Sequence, residues 1–214
     1  YKRYDKGHLR GKAACKDALM HDMGLEAAAG VPLVAMVTRM TRQKGFDLVE
    51  RVLDEMMAFD IRFLLLGSGD GEYEGFMRAA EERHRGRVCS YIGYNDELSH
   101  RIYAGADMLL MPSLFEPCGL SQMIAMRYGT LPIVRETGGL KDSVVPYNQY
   151  TGEGTGFSFA NFNAHEMKAT VERAVGIYRD QHDVWESLMR NAMSVDFGFE
   201  RSADEYARLY IELL

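Results

Sequence analysis

The sequence predicts an α/β fold, in which one parallel sheet lies between two layers of helices. Three observations support this prediction. Short runs of consecutive apolar residues recur along the chain, which is typical of parallel strands that are covered on both faces. Segments with apolar residues at helical spacing separate these runs. Polar or glycine-rich loops join the two kinds of segment, so strand and helix alternate through most of the chain.

The apolar runs define six predicted strands, and the first of them illustrates the pattern. It reads Val-Pro-Leu-Val-Ala-Met-Val and contains no polar side chain. The predicted strands span residues 31–37, 61–66, 88–92, 108–112, 131–134 and 156–159. The sixth is short and follows a turn-rich segment that contains Gly152, Gly154 and Gly156.

The helical segments carry apolar residues at intervals of three and four, as an amphipathic helix requires. The predicted helices span residues 11–23, 46–59, 71 to about 83, 97–104, 121–128, 164–178, about 184–193 and 202–213. The sequence shows no internal repeat and no boundary of a second domain. We therefore expect a single Rossmann-like domain with three layers, α/β/α.

The topology of such a sheet predicts where a ligand binds. Right-handed crossovers place the carboxyl ends of all the parallel strands at one edge of the sheet. Open α/β sheets bind their ligands along that edge. We therefore expect the loops that follow the strands to converge, although they are far apart in the sequence.

Composition argues against several classes of partner. The net charge of −6 disfavours non-specific binding to nucleic acid. No apolar run reaches membrane-spanning length, so no membrane partner is expected. The six histidines are scattered without ligand spacing, and no metal site is predicted. Cys15, Cys89 and Cys118 lack metal or disulfide spacing, which favours a reducing compartment. A nucleophilic Cys118 would need a histidine, and none lies near it in the sequence.

The most informative stretch is the loop 112–120, Pro-Ser-Leu-Phe-Glu-Pro-Cys-Gly-Leu, between a predicted strand and a predicted helix. Glu116 lies at the turn, and Gly119 lies where the helix begins. A carboxylate beside the free N–H groups of a helix terminus suits a polar, anionic small molecule. The alternative is that Pro112, Pro117 and Gly119 only shape a strand-to-helix turn.

A basic loop follows the first predicted strand and contains Arg39, Arg42 and Lys44. Cations next to a helix N-terminus suit a phosphate or diphosphate. The alternative is a basic loop that simply faces water.

The remaining loops offer weaker signals. The segment 67–71, Gly-Ser-Gly-Asp-Gly, partly resembles a dinucleotide fingerprint, but its spacing is wrong and a flexible turn is the alternative. Tyr94 could stack on a base or simply pack. Gly138 and Gly139 allow a close backbone approach after the fifth strand.

With these residues in place, the chain resembles the C-terminal domain of bacterial glycogen synthases and plant starch synthases. The motifs that carry the resemblance are Arg39-x4-Lys44-Gly45, Gly67-Ser68-Gly69-Asp70, Ile92-Gly93-Tyr94, Pro112-Ser113-x-x-Glu116-Pro117-Cys118-Gly119-Leu120-x-Gln122 and Arg135-x-Thr137-Gly138-Gly139-Leu140-x-Asp142. The resemblance implies the two-lobed GT-B glycosyltransferase architecture. Residues 1–214 would be the C-terminal lobe, with 1–10 as a linker and 200–214 as a C-terminal helix. The N-terminal acceptor lobe would lie outside this sequence.

The resemblance also implies roles for individual residues. Arg39 and Lys44 would bind the diphosphate of the donor, Tyr94 would lie against its adenine, and Glu116 would contact the hydroxyls of its sugar. The other implied donor-site residues are Gly67, Cys118, Gly119, Leu120, Gln122, Thr137 and Gly138. Position 124 is an isoleucine, where many retaining relatives carry a second glutamate. Glycogen and starch synthases also lack that glutamate, so the difference favours this branch.

The implied reaction is the transfer of glucose from ADP-glucose to the non-reducing end of an α-1,4-glucan, with retention of configuration. No metal or other cofactor is expected. The implied location is the cytoplasm of a bacterium or, for a plant protein, the plastid.

Several alternatives remain open at this point. The chain alone could be a nucleotide-binding domain without turnover, because the acceptor lobe is missing. The donor could be UDP-glucose. A phosphorylase would need a lysine for pyridoxal phosphate, and no such signature is found. A dehydrogenase would need a glycine fingerprint in the first strand–helix turn, where residues 39–45 do not supply one.

Overall fold

Six parallel strands form one sheet in the computed structural model, which describes residues 2–213 apart from the side chain of Arg201. The strands are β1 Leu33–Val37, β2 Arg62–Gly67, β3 Val88–Ile92, β4 Met108–Met111, β5 Leu131–Arg135 and β6 Phe157–Phe159. Each lies within a residue or two of its predicted position. The predicted parallel α/β sheet is therefore confirmed.

Nine α-helices occur in the described part of the chain, and the first eight contribute buried side chains to the domain. They are α1 Arg10–Asp22, α2 Phe46–Met57, α3 Gly71–Arg83, α4 Asp96–Gly105, α5 Ser121–Arg127, α6 Gly138–Ser143, α7 Ala164–Asp180, α8 His182–Ser194 and α9 Phe199–Glu212. A single turn of 3-10 helix, Arg42–Lys44, precedes α2. Helix α6 was predicted only as a loop, because its two glycines are poor helix formers. Burial of Leu140 against the core stabilises it.

Alternation along the strands builds a core on each face of the sheet. In β1, Val34 and Met36 pack with residues of α2, α3, α7 and α8. Leu33 and Ala35 point the other way and pack with residues of α1 and α4. The three-layer arrangement follows directly from this alternation, because both faces of each central strand are covered.

The strand order β3-β2-β1-β4-β5-β6 reverses direction between β1 and β4. After β1 the chain builds outward through β2 to β3. After β4 it builds the other way, through β5 to β6. The loops that leave β1 and β4 therefore diverge and open a crevice between them at the carboxyl edge of the sheet.

The two ends of the described chain differ in how closely they pack on the domain. The segment predicted as a linker packs on the domain through Tyr4, whose Oη lies 2.8 Å from the carbonyl oxygen of Tyr128 and 3.0 Å from that of Ala104. Burial raises the pKa of Tyr4. At the other end, α9 is a helix as predicted, and it leaves large apolar side chains such as Phe199 and Tyr210 exposed.

A buried ion pair joins helix α1 to the sheet. Lys16 Nζ lies 2.6 Å from Asp107 Oδ2, and the same oxygen accepts a hydrogen bond from the Leu33 N–H at 2.7 Å. Lys16 also lies 3.0 Å from the hydroxyl of Tyr178. Burial is the largest single influence and lowers the pKa of Lys16, but Asp107 and Tyr178 together outweigh it and raise that pKa above its ordinary value. Asp107 thus ties α1, β1 and β4 together.

Asp107→Ala is expected to lower the free energy of unfolding by about 3 kcal/mol, because the buried ammonium of Lys16 loses its counter-charge. Urea denaturation followed by circular dichroism measures this loss. The matched control is Glu55→Ala, which removes the partner of Lys168 in a more exposed ion pair and should change the stability little. Equal losses in the two variants would contradict the importance assigned to the buried pair.

Candidate functional site

A cavity of about 210 Å³ occupies the crevice between the ends of β1 and β4. Three predicted site residues, Arg39, Lys44 and Glu116, line it together. Gly119 and Leu120 line it as well. The convergence that the sequence predicted for these loops is therefore found in the structure.

Lys44 and Glu116 form an ion pair inside this cavity. Lys44 Nζ lies 2.5 Å from Glu116 Oε2, and the two side chains are only 19% and 9% exposed. The hydroxyl of Ser113 donates to the same carboxylate oxygen at 3.2 Å. Glu116 Oε1 has no hydrogen-bond partner among the described residues, so it remains able to accept from a ligand.

Arg39 supplies a second, unshared cation. Its side chain is exposed at the cavity, and no described carboxylate pairs with it. Arg42, the third cation of this loop, lies 3.8 Å from Asp47 and does not line the cavity. Together, Arg39, Lys44 and Glu116 leave the cavity with a net positive charge, which attracts an anion.

The loop that carries Glu116 packs tightly on the loop after β5. A Cβ atom added to Gly138 would lie 2.1 Å from the carbonyl oxygen of Glu116, and Gly138 has a φ of 44°. One added to Gly139 would lie 2.1 Å from the carbonyl oxygen of Cys118. The Gly139 N–H donates to the Glu116 carbonyl at 3.2 Å. The close backbone approach predicted for these glycines is thus present, and it fixes the position of Glu116.

Gln122 anchors the other end of the same loop. Its Nε2 donates to the carbonyl oxygens of Cys118 and Gly119, at 3.1 and 2.9 Å, and it lies 3.1 Å from Ser143 Oγ. The side chain has no exposed surface, and its Oε1 has no partner. Gln122 was predicted to complete the donor pocket. The structure gives it a positioning contact, which holds the loop.

Gly67 and Tyr94 lie at the same edge of the sheet but do not line the cavity. A Cβ atom at Gly67 would meet the Thr38 carbonyl oxygen at 1.7 Å, so only glycine fits where the loops after β1 and β2 run side by side. The Gly93 N–H donates to the Gly67 carbonyl at 2.8 Å, which joins the loop after β3 to this group. Tyr94 follows directly and is 88% exposed, with its ring free to contact a ligand.

Thr137 and Cys118 are placed beside the site rather than in the cavity. Thr137 is the residue that precedes α6, and its hydroxyl makes no capping bond. Cys118 is exposed, and the one contact described for its Sγ is with the Gly119 carbonyl oxygen at 3.6 Å. No histidine is described in contact with Cys118, which disfavours the nucleophile hypothesis.

Larger cavities occur elsewhere in the described part of the chain. One of about 800 Å³ lies near the amino ends of the strands and includes the Lys16–Asp107 pair. Among the described residues, no cluster of three or more His, Cys, Asp or Glu side chains is placed to hold a metal ion. None of the helices in residues 2–213 has the length and apolar character needed to cross a membrane.

Two features of the site were not predicted from the sequence. The pairing of Lys44 with Glu116 joins residues 72 positions apart. Ser113 contacts the Glu116 carboxylate, and its position two residues after the end of β4 was the signal that could have suggested it.

Gly138→Ala is expected to lower the free energy of unfolding by about 2 kcal/mol or more, because the new Cβ meets the Glu116 carbonyl and the positive φ is strained. The control is Gly152→Ala, which has a φ of 73° but no atom within 4 Å of the new Cβ. It should cost only about 1 kcal/mol, from the backbone strain alone. Urea denaturation of both variants measures the difference, and equal costs would contradict the close contact.

Comparisons with known proteins agree with this geometry. The family model described as glycosyl transferases group 1 matches residues 24–186. The chain is 52% identical to the glycogen synthase of Bacillus cereus (strain ZK / E33L) over 212 residues, which cover 99% of this chain and 44% of that protein. It is 55% identical to the glycogen synthase of Geobacillus stearothermophilus over 199 residues, which cover 93% of this chain and 41% of that protein.

A solved structure supports the same relationship. The catalytic domain of starch synthase IV from Arabidopsis thaliana, bound to ADP and acarbose, matches with a TM-score of 0.90 and 36% identity. The match covers 98% of this chain and 44% of that one. The chain spans less than half the length of the curated relatives described above. The predicted resemblance to glycogen and starch synthases is confirmed, and the chain belongs to the group 1 family of glycosyl transferases.

Proposed function

We propose that this chain is the C-terminal, nucleotide-sugar-binding domain of a glycogen or starch synthase. With an N-terminal lobe, it would transfer glucose from ADP-glucose to the non-reducing end of an α-1,4-glucan, with retention of configuration. One observation carries the proposal. In a chain 52% identical to a glycogen synthase, Arg39, Lys44 and Glu116 meet in one cavity at the reversal of strand order.

Arg39 and Lys44 stabilise the departing diphosphate in this proposal. Breaking the bond between sugar and phosphate builds negative charge on the leaving group. Preorganised cations in a partly buried site stabilise such charge more effectively than water does. The two cations supply the positive charge that a metal ion supplies in some other transferases, so the proposal includes no metal or other cofactor.

Glu116 orients the glucose in this proposal. Its free Oε1 accepts a hydrogen bond from a sugar hydroxyl, while Lys44 and Ser113 hold Oε2. A fixed sugar presents its anomeric carbon to the acceptor, and such positioning lowers the barrier by removing unproductive orientations. Lys44 also offsets the repulsion between the Glu116 carboxylate and the diphosphate.

The remaining donor contacts come from groups around the cavity. The main-chain N–H groups of Gly119 and Leu120 donate to no described protein atom, and they would contact the sugar and the distal phosphate. The exposed ring of Tyr94 would lie against the base, which we propose to be adenine. Thr137, Gly138 and Gly67 would complete the donor pocket around the cavity. The location that accompanies this function is a bacterial cytoplasm or a plastid.

A second candidate is that the chain alone binds the nucleotide without turnover. The cavity contains groups for the donor, and the acceptor is proposed to bind to the missing lobe. The match to a starch synthase solved with ADP favours an adenine over a uracil nucleotide.

Isothermal titration calorimetry of the 214-residue chain is expected to show binding of ADP at least about tenfold tighter than binding of UDP. The reason is that adenine offers the larger surface to the ring of Tyr94. Tyr94→Ala should reduce this preference, and Tyr150→Ala, which removes another exposed tyrosine, should not. An activity assay on the same sample should show no glucose transfer. Tighter binding of UDP would contradict the assignment of the donor.

Lys44→Ala in the full-length protein is expected to lower kcat/KM for ADP-glucose by about 100-fold or more, because the diphosphate loses a preorganised cation. The thermal unfolding midpoint should change far less. Lys168→Ala is the control, since Lys168 pairs with Glu55 on the outer surface. Activity of the Lys44 variant within a few-fold of the unsubstituted protein would exclude the proposed role.

A further inference from the structure

The guanidinium of Arg135 forms hydrogen bonds with the main chain of the loop that carries Glu116. Arg135 Nε donates to the carbonyl oxygen of Ser113 at 2.8 Å, and Nη2 donates to that of Leu114 at 2.5 Å. These two nitrogens lie on the same edge of the guanidinium, so two successive carbonyls are held by one planar fork. Nη1 lies 3.5 Å from the carbonyl oxygen of Ala160, which ties the fork to the chain beyond β6.

The two residues that Arg135 holds, Ser113 and Leu114, lie close to the Glu116 carboxylate in the chain, and one of them contacts it. Ser113, whose carbonyl Arg135 holds, donates its own hydroxyl to Glu116 Oε2 at 3.2 Å. Leu114 is held from the other side as well, because its N–H donates to the Gln43 carbonyl at 2.9 Å. Arg135 itself does not line the cavity.

We infer that Arg135 is a positioning residue for glucose transfer, which acts on the reaction through Ser113 and the orientation of Glu116. This inference rests on the proposed function. The Arg135 guanidinium fixes the main chain at Ser113 and Leu114, and the hydroxyl of Ser113 then fixes the carboxylate that holds the sugar. Arg135 needs no contact with the donor for this role.

The role depends on the shape of the side chain as well as its charge. A lysine at this position keeps the positive charge but offers a single nitrogen, which cannot hold two carbonyls in one plane. Arg135→Lys therefore removes the fork with little change in electrostatics. A displacement of the carboxylate by about 1 Å is sufficient to lower a rate strongly.

The test is a double-substitution cycle in the full-length protein. Arg135→Lys is expected to lower kcat with ADP-glucose by about tenfold, and the Kd for ADP should stay within about twofold, because ADP lacks the glucose that Glu116 is proposed to hold. In a Glu116→Gln background, Arg135→Lys should lower kcat by less than about twofold, since the group it positions is already impaired. A merely structural role would weaken ADP binding and would cost the same factor in both backgrounds.

Arg173→Lys is the matched control. Arg173 also donates to a main-chain carbonyl, that of Tyr147 at 3.1 Å. It lies over the Tyr147 ring, as Arg135 lies over that of Phe162, but it does not line the cavity. It should leave kcat and the Kd for ADP unchanged. A loss of kcat equal to that of Arg135→Lys would overturn the inference.

Ser113→Ala provides a second route if Arg135→Lys does not fold. It removes the hydroxyl that contacts the Glu116 carboxylate. As a single substitution it should lower kcat severalfold, but in the Glu116→Gln background it should lower kcat little. An unchanged kcat for Ser113→Ala would overturn the inference.

If the unsubstituted full-length protein transfers no glucose from ADP-glucose, the proposed function fails and this inference fails with it. If it does transfer glucose and the cycle is additive, only the inference fails.

Discussion

The parallel pairing of β1 with β4 is the constraint on which the candidate site depends. Val34 lies opposite Met108 and Ala35 opposite Leu109, so the two strands end side by side. The chain continues outward in opposite directions from this pair, and the diverging loops leave the crevice that becomes the cavity. The contact between Lys44 and Glu116 is therefore a consequence of strand order, since nothing local brings these residues together.

The contribution of an ion pair to stability does not by itself explain why Lys44 and Glu116 are paired in the cavity. A buried carboxylate without partners is costly, and Lys44 and Ser113 remove that cost for Glu116. A buried ion pair, however, adds little net stability compared with apolar residues of similar volume. Its presence is better explained by the proposed function, because it holds a carboxylate for the sugar next to the place of an anionic diphosphate. Because Lys44 and Glu116 neutralise each other, the charge of Arg39 gives the cavity a net positive charge.

Much of the fold could be predicted because buried strands and helices show a characteristic local pattern of apolar residues in the sequence. The central strands are covered on both faces, so each appears as an apolar run in the sequence. Within β1, for example, Val34 packs in the core on one face of the sheet and Leu33 in the core on the other. Helix α6 was missed, since a helix that begins with two glycines depends on tertiary contacts. The site was predicted as a set of loops at one edge. The contacts of Gln122 and Arg135 were not, because they are hydrogen bonds to main-chain carbonyls, whose direction depends on the path of the folded loop.

These two side chains also determine which groups of the loop remain for a ligand. Arg135 occupies the carbonyls of Ser113 and Leu114, and Gln122 occupies those of Cys118 and Gly119. The acceptors of the loop are thus turned toward the protein. The N–H groups of Gly119 and the residue after it have no described protein partner. With these four carbonyls engaged by the protein, the loop presents free N–H groups to the cavity, and N–H donors are what a diphosphate requires. The polarity of the loop therefore depends on Arg135 and Gln122, neither of which lines the cavity.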